Sequence, residues 1–343
     1  MNLAKILKVE DNTLQAGLLL AKEAAYRFSQ IKMAIFKDLI DNWDNATSLP
    51  MPLREKLNKE APLQIDAKLS QSKYSNTIKA LLTLHDEAKI ETVLMQHEDG
   101  RNTVCVSTQV GCALGCTFCA TGSMGFKRNL RWDEILAQVI LFERMLKSED
   151  QKVTNVVYMG MGEPFLNYDN VLKSVRILNS PDGLNIGARK ISISTVGITE
   201  GIDKLADEDI QVNLAISLHA PVDSLRNEIM PINKKYPIQK VLNAVSRYIK
   251  LTHRKVMFEY VLIQDVNDSL EYAEMLVQLL RKYTCMVNLI KINPVNKFKP
   301  PEAPHIQKFK EELEHGGLEV VQRFSFGQDI KAACGQLAAG NLD

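Results

Sequence analysis

Four of the six cysteines of this 343-residue chain fall in one stretch, VCVSTQVGCALGCTFCATG, from Val104 to Gly122. Three of them, Cys112, Cys116 and Cys119, have the spacing C-x3-C-x2-C. Thiols three or four residues apart in a loop can converge on one metal centre, and all-sulfur ligation selects zinc or iron-sulfur. Structural zinc and tetrathiolate iron-sulfur centres both take four ligands. A triad therefore either recruits a fourth thiol or leaves one corner free for a small molecule. Cys105 is the nearest candidate for a fourth ligand, which would complete a zinc knuckle or an electron-transfer cluster. It stands within the alternating apolar run VCVST, read as a strand, whereas the triad lies in the glycine-punctuated loop that follows. Cys285, in KYTCMVNL, reads as a packing residue. Cys334, in IKAACGQLAAG, has only small neighbours, the setting of an accessible loop in which a thiolate can act as a nucleophile.

Other polar residues punctuate the ends of apolar runs. MGMGEP follows NVVYM, Ser194 closes ISIST, Ser217, Leu218 and His219 close AISLH, and Asn293 closes LIKIN. Glycines let a backbone approach a ligand closely, and a carboxylate beside them can accept from an ammonium group, which makes Gly162 and Glu163 binding candidates. From about residue 86 to 343, short β-rich runs alternate with helical segments, the pattern of βαβ units and a parallel sheet. About six repeats predict an α/β fold, a partial (βα)6 TIM-like barrel, in which the loops after the strands carry the chemistry. Residues 1–85 differ: LLLAKEAAYRF, IKMAIFKDLIDNW, MPLREKL and NTIKALLTL have helical spacing and predict a small helical accessory domain.

Composition sets the outer limits. Hydrophobic residues make up 45% and charged residues 24% of the chain, ordinary values for a folded globular protein. No apolar run approaches the roughly 20 residues a membrane helix needs, and the first residues lack the apolar core of a signal peptide, so a cytoplasmic protein without membrane contact is expected. Six cysteines in such a chain read as ligands and catalysts rather than a disulfide framework. A net charge of +1 leaves nucleic-acid binding to local basic clusters, with FKRNLR at Phe126 to Arg131, NKKY and NKFKP as candidates.

Taken together, VSTQVGCALGCTFCATG, GFKRNL, GMGEP, SLHAP, MPINKKYPI, VNDS and AACGQL resemble the RlmN/Cfr family of radical S-adenosylmethionine RNA methyltransferases. The resemblance covers nearly all of the chain and is weakest before about residue 85. It implies a radical SAM barrel with a 4Fe-4S cluster on Cys112, Cys116 and Cys119. It further implies S-adenosylmethionine at the open iron, two molecules per turnover, contacted by Gly162, Glu163, Ser194, Ser217, Leu218, His219 and Asn293. Cys334 would carry the transferred methyl group, Cys105 would release the product by forming a disulfide with Cys334, and Glu91 would accept a proton. The implied substrate is carbon 2 of an adenine in 23S rRNA, with the tRNA anticodon loop as a further target. GMGEP and QVGCALGC favour that activity over methylation of carbon 8 of the same base. The resemblance also implies an electron donor such as flavodoxin or ferredoxin, and a monomer is expected. Two other readings compete: an iron-sulfur RNA-binding or redox-sensing module with a regulatory Cys105 and Cys334 pair, and a radical enzyme acting on a small molecule.

Overall fold

The computed structural model describes residues 1, 3–10, 13–20, 23–293, 298–323 and 325–339. After the hairpin β1 (Leu7–Glu10) and β2 (Thr13–Ala16) come helices α1 (Ala25–Phe36) and α2 (Met51–Glu60). Strands β3 (Asp66–Gln71), β4 (Thr77–Thr83), β5 (Lys89–Gln96) and β6 (Asn102–Cys105) follow, then a small ribbon of β7 (Gln109–Gly111) and β8 (Phe126–Asn129) with the short helix α3 (Ala120–Ser123) between them. The helix α4 (Trp132–Lys147) leads into an alternation of β9 (Asn155–Tyr158), α5 (Tyr168–Asn179), β10 (Ile191–Thr195), α6 (Thr199–Ala206) and β11 (Asn213–Ser217). It continues through α7 (Asp223–Ile229), α8 (Ile238–Thr252), β12 (Val256–Leu262), α9 (Leu270–Leu280), β13 (Cys285–Lys291), α10 (Ala303–His315) and β14 (Val320–Arg323).

Ten strands form one sheet in the order β14-β13-β12-β11-β10-β9-β6-β5-β4-β3. From β6 to β14 every pairing is parallel, and β3, β4 and β5 extend the sheet antiparallel. Six strands, β6 and β9 to β13, are each followed by helix, which is the expected partial (βα)6 barrel. On one face of these parallel strands Val156, Tyr158, Ile193, Leu214, Ile216, Phe258, Tyr260 and Leu289 are nearly or wholly inaccessible.

One expectation fails here. NTIKALLTL forms the strand β4, with its register on β5 running from Thr77 opposite Met95 to Thr83 opposite Lys89. The N-terminal helices are therefore α1 and α2, and residues 66–83 belong to the barrel sheet. These helices are moored to the barrel by Arg144 of α4, whose guanidinium donates to the carbonyls of Leu39 and Leu63 at 3.1 Å each and to that of Ile40. Trp43, fully buried, donates its indole N–H to the Ala61 carbonyl at 2.9 Å and pins the end of α2.

Candidate active site

The cysteine loop runs from β7 to β8. Cys116 O accepts from Cys119 N at 3.1 Å, so a tight turn sets these two thiols on one side, and Cys112 N is anchored on Gly125 O at 2.8 Å. Phe118, between them, packs edge-on against His219 with ring centroids 5.0 Å apart. Cys112, Cys116 and Cys119 all line one cavity at the C-terminal ends of the strands, together with Gly160, Gly162, Glu163, Ser194, Ser217, His219, Glu259, Asn293 and Cys334. Leu218 is not among them: it is fully buried in the core, with its N–H donated to Glu259 O and its carbonyl accepting from Arg226.

Electrostatics fit the triad to a polycationic group. Burial raises Cys112 to about 11, and Cys119 and Glu163 add to that. Cys116 is pushed higher still by burial, then by Cys119 and Cys112. Cys112 and Cys116, both raised by burial and by neighbouring cysteines, become thiolates together only beside concentrated positive charge, which clustered iron supplies. Among the described residues, no three His, Cys, Asp or Glu side chains gather as ligands of a single ion.

The GMGEP turn is sewn to the cysteine loop. Glu163 N donates to Gln109 Oε1 at 2.9 Å, and Asn167 Nδ2 donates to the carbonyls of Thr108 and Leu130 at 2.8 and 2.7 Å. Gly162 has φ +100°, and a Cβ there would meet Gln109 Cβ at 2.6 Å, so this position takes only glycine. The Glu163 carboxylate accepts from Phe165 N at 3.1 Å and from Val196 N at 2.9 Å. Burial nonetheless lifts it to about 7.

His219, at φ 60°, accepts at Nδ1 from Val261 N at 3.1 Å, which leaves Nε2 as the N–H donor on a neutral ring. Burial, aided by the Arg226 charge, lowers its pKa to about 3. Two residues that sequence reasoning passed over build this corner. Asn267, in VNDS, donates to the carbonyls of His219 at 2.8 Å and Val261 at 2.6 Å and accepts from Ile263 N at 2.8 Å. Arg226, wholly buried, donates to the carbonyls of Val196, Ser217, Leu218 and Tyr236 and to Asn233 Oδ1, at 2.6 to 3.1 Å. It thereby ties the loops after β10 and β11 to MPINKKYPI. Asn267 had the signal of lying in VNDS, whereas Arg226, between SLHAP and MPINKKYPI, lies in no quoted motif.

A second cavity of about 470 Å3 adjoins the first. It holds Cys105 with Val93, Met95, His97, Thr103, Asn155, Val157, Ser192, Val321 and Phe326, and shares Cys119, Met159, Asn293, Arg323 and Cys334 with the first. Cys334 lies in the wall between them. Its carbonyl accepts from Asn293 Nδ2 at 2.9 Å, Gly335 O accepts from Ala120 N at 2.7 Å, and Leu337 O accepts from Thr121 Oγ1 at 2.5 Å. Its side chain is solvent-accessible through the cavities, and all six cysteines are free thiols. Surrounding protein still desolvates Cys334 and raises its pKa, with Arg323 opposing. Cys105 is raised to about 12 by burial and then by Cys334, so the two thiols feel each other's charge.

Glu91 lies outside both cavities. Its buried carboxylate pairs with Lys79 Nζ at 2.9 Å and accepts from the amides of Ala338 and Ala339 at 2.8 and 3.2 Å, so it anchors the segment that carries Cys334. Of the basic clusters, Arg128 is paired with Asp86 and Glu134 and Arg131 with Asp133. In NKKY, Asn233 is consumed by Arg226. NKFKP begins at residues 296–297, which lie outside the described residues.

The Radical SAM superfamily profile matches residues 106–279. A protein of Dictyoglomus thermophilum named "Probable dual-specificity RNA methyltransferase RlmN" is 49% identical over 92% of this chain and 91% of its own length. One of the same name from Geobacillus kaustophilus is 44% identical over 98% and 93%. The crystal structure of a radical SAM methyltransferase from Sphaerobacter thermophilus, 47% identical, matches with a TM-score of 0.89 over 92% of this chain and 93% of that one. On these matches, the chain belongs to the RlmN family of radical SAM RNA methyltransferases.

Proposed function

We propose that the protein methylates carbon 2 of an adenine in 23S rRNA, with tRNA anticodon loops as a second substrate, through a methyl group carried on Cys334. The observation that carries this reading is the position of Cys334 in the wall between a cavity holding the cysteine triad and one holding Cys105. Cys112, Cys116 and Cys119 would hold a 4Fe-4S cluster. When bound, cluster and S-adenosylmethionine supply one-electron cleavage to a 5′-deoxyadenosyl radical, which an sp2 ring carbon requires because it is too poor a nucleophile to displace a methyl group directly. Ser194, Ser217, His219 Nε2–H and the main chain at Gly162 and Glu163 would bind and orient that cofactor. The engaged carboxylate of Glu163 leaves the ammonium contact chiefly to the main chain of its turn.

Cys334 would take methyl from one S-adenosylmethionine, and after that S-methyl group loses a hydrogen atom to the 5′-deoxyadenosyl radical from a second, its carbon bonds the adenine carbon, which gives up one electron and its proton. Cys105 thiolate then attacks the Cys334 sulfur; the S–CH2 bond breaks with its electron pair left on the base-linked carbon, which takes a proton to become methyl, and the disulfide remains on the protein. Glu91 accepts a proton only after its anchoring contacts rearrange. Flavodoxin or ferredoxin is the fitting electron source, and the protein works as a monomer in the cytoplasm.

The test is anaerobic incubation of reconstituted enzyme with dithionite, S-adenosylmethionine and RNA, followed by mapping of methyladenosine. C2-methyladenosine in 23S rRNA is expected. C8-methyladenosine would overturn the carbon assignment, and an intact cluster without 5′-deoxyadenosine would restore the redox-module reading. Cys105→Ala should accumulate a Cys334–RNA adduct visible by mass spectrometry, and turnover without that adduct would overturn the role of Cys105.

A further inference from the structure

The second cavity follows the pleat of the sheet. Val93, Met95 and His97 come from β5 and its end, Thr103 and Cys105 from β6, Asn155, Val157 and Met159 from β9 and its end, and Ser192 from β10. Alternate residues of a strand share one face, so this is the concave face of the barrel continued from the strand ends toward their starts. Of the residues that would hold the cluster and cofactor, Cys112, Cys116, Gly162, Glu163, Ser194, Ser217 and His219 line only the first cavity, and Cys119 and Asn293 stand on the boundary of both. A volume of about 470 Å3 is that of a small-molecule pocket rather than a packing defect.

Its walls have a particular chemistry. Val93, Met95, Val157 and Val321 are apolar, and at the end of β5 His97 and Phe326 form an edge-on aromatic pair with centroids 5.1 Å apart. Asn155 and Ser192 offer hydrogen-bonding groups on the same face, and exposed Arg101 joins the lining. Both cavities share two thiols, Cys119 and Cys334, and Cys119 belongs to the triad, which leaves Cys334 as the shared nucleophile.

We propose that this second cavity seats a single adenine unstacked from its RNA strand, with Phe326 and His97 as the stacking platform and Val321 as a wall of the seat. The assignment rests on the methyl-carrying role of Cys334, since the seat must bring a ring carbon to that sulfur. Extruding a base breaks its stacking on its neighbours, and an aromatic platform offsets that loss by stacking on the extruded ring.

The experiment compares reconstituted wild-type holoenzyme with Phe326→Ala, which removes the platform, and Val321→Trp, which fills the seat. Phe326→Ala should raise KM for RNA roughly tenfold, the ratio equivalent to about 1.4 kcal/mol. Val321→Trp should cut RNA methylation at least about a hundredfold. Both should keep wild-type iron content, 5′-deoxyadenosine release without RNA, and methyl on Cys334. In fluorescence anisotropy, wild type should bind an RNA hairpin with one loop adenine about tenfold tighter than the same hairpin with an abasic loop site, and Val321→Trp should abolish that preference. Unchanged RNA kinetics in Val321→Trp would overturn the seat, and so would loss of 5′-deoxyadenosine at unchanged iron content, which would give the cavity to the cofactor. Absence of methyl on wild-type Cys334 would overturn the underlying reading instead, while the adenine-versus-abasic comparison decides the seat by itself.

Discussion

Cys105 and Cys334 are both thiols of raised pKa, yet they differ in access. Cys105 is 8% exposed at the end of β6, and burial followed by its neighbour Cys334 holds it at about 12, so only on the order of one molecule in ten thousand carries the thiolate at pH 8. Cys334 is exposed, and the charge of Arg323 offsets part of its desolvation. Arg323 itself is desolvated, but Glu259 at 3.6 Å keeps it charged. With iodoacetamide at pH 8, Cys334 should be alkylated at least tenfold faster than Cys105, read by peptide mass spectrometry. Equal rates would show that Cys105 is far more open than its burial indicates. Residue types and spacing revealed these thiols and the triad because the chemistry is local to the side chain. Arg226 and Asn267 were opaque for the opposite reason: their work is to satisfy carbonyls from loops far apart in sequence, and no local pattern announces that.

At the scale of elements, βα alternation was legible because buried parallel strands and amphipathic helices write different periods. β4 was misread because it is buried on both faces, Thr77 and Lys79 to Leu82 all lying below the surface, so the alternation of a half-buried strand is missing. Ile78, Leu81 and Leu82 then mimic the i, i+3, i+4 spacing of a helix. α4, by contrast, reads clearly and is almost wholly buried, and it carries Glu143, 6% exposed, whose pKa burial raises from 4.5 to about 7. Between those values the folded state holds a proton that the unfolded state has lost, so stability falls as pH rises through about 4.5 to 7 and levels off above. Glu143→Gln removes the buried charge. It should stabilise the protein by on the order of 1–3 kcal/mol at pH 8, with the gain vanishing near pH 4.5. Glu163 titrates in the same window, so the difference between variant and wild type in paired urea titrations isolates Glu143. A gain independent of pH would disprove the titration account.

At the scale of the molecule, the sheet has free edges at β14 and β3, and the chain beyond β14 bridges that side. Asp329 accepts from Ser72 Oγ at 2.7 Å and Lys73 N at 2.9 Å, and Gly327 N donates to Ser75 Oγ at 3.3 Å, so the segment clasps the β3–β4 turn. Further along, Glu91 holds the amides of Ala338 and Ala339, while Ala120 and Thr121, next to Cys119, hold Gly335 and Leu337. Cys334 is thus fixed between two anchorages, one on the antiparallel strands and one on the cysteine loop itself. None of this was visible in sequence, because residues 72, 91, 120 and 329 meet only once the barrel has curved. Asp329→Ala together with Ser72→Ala cuts the first anchorage and leaves the second. Amides 327–333 should then exchange hydrogen about ten to a hundredfold faster, whereas amides 335–339 should keep most of their protection. Because the cofactor cavity is built from the strand ends and not from this clasp, 5′-deoxyadenosine release without RNA should stay within about twofold of wild type while methyl transfer to RNA falls by an order of magnitude. If cofactor cleavage and methyl transfer fell together, the clasp would be a general element of stability; if neither changed, the cysteine-loop anchorage alone would suffice to place the Cys334 sulfur.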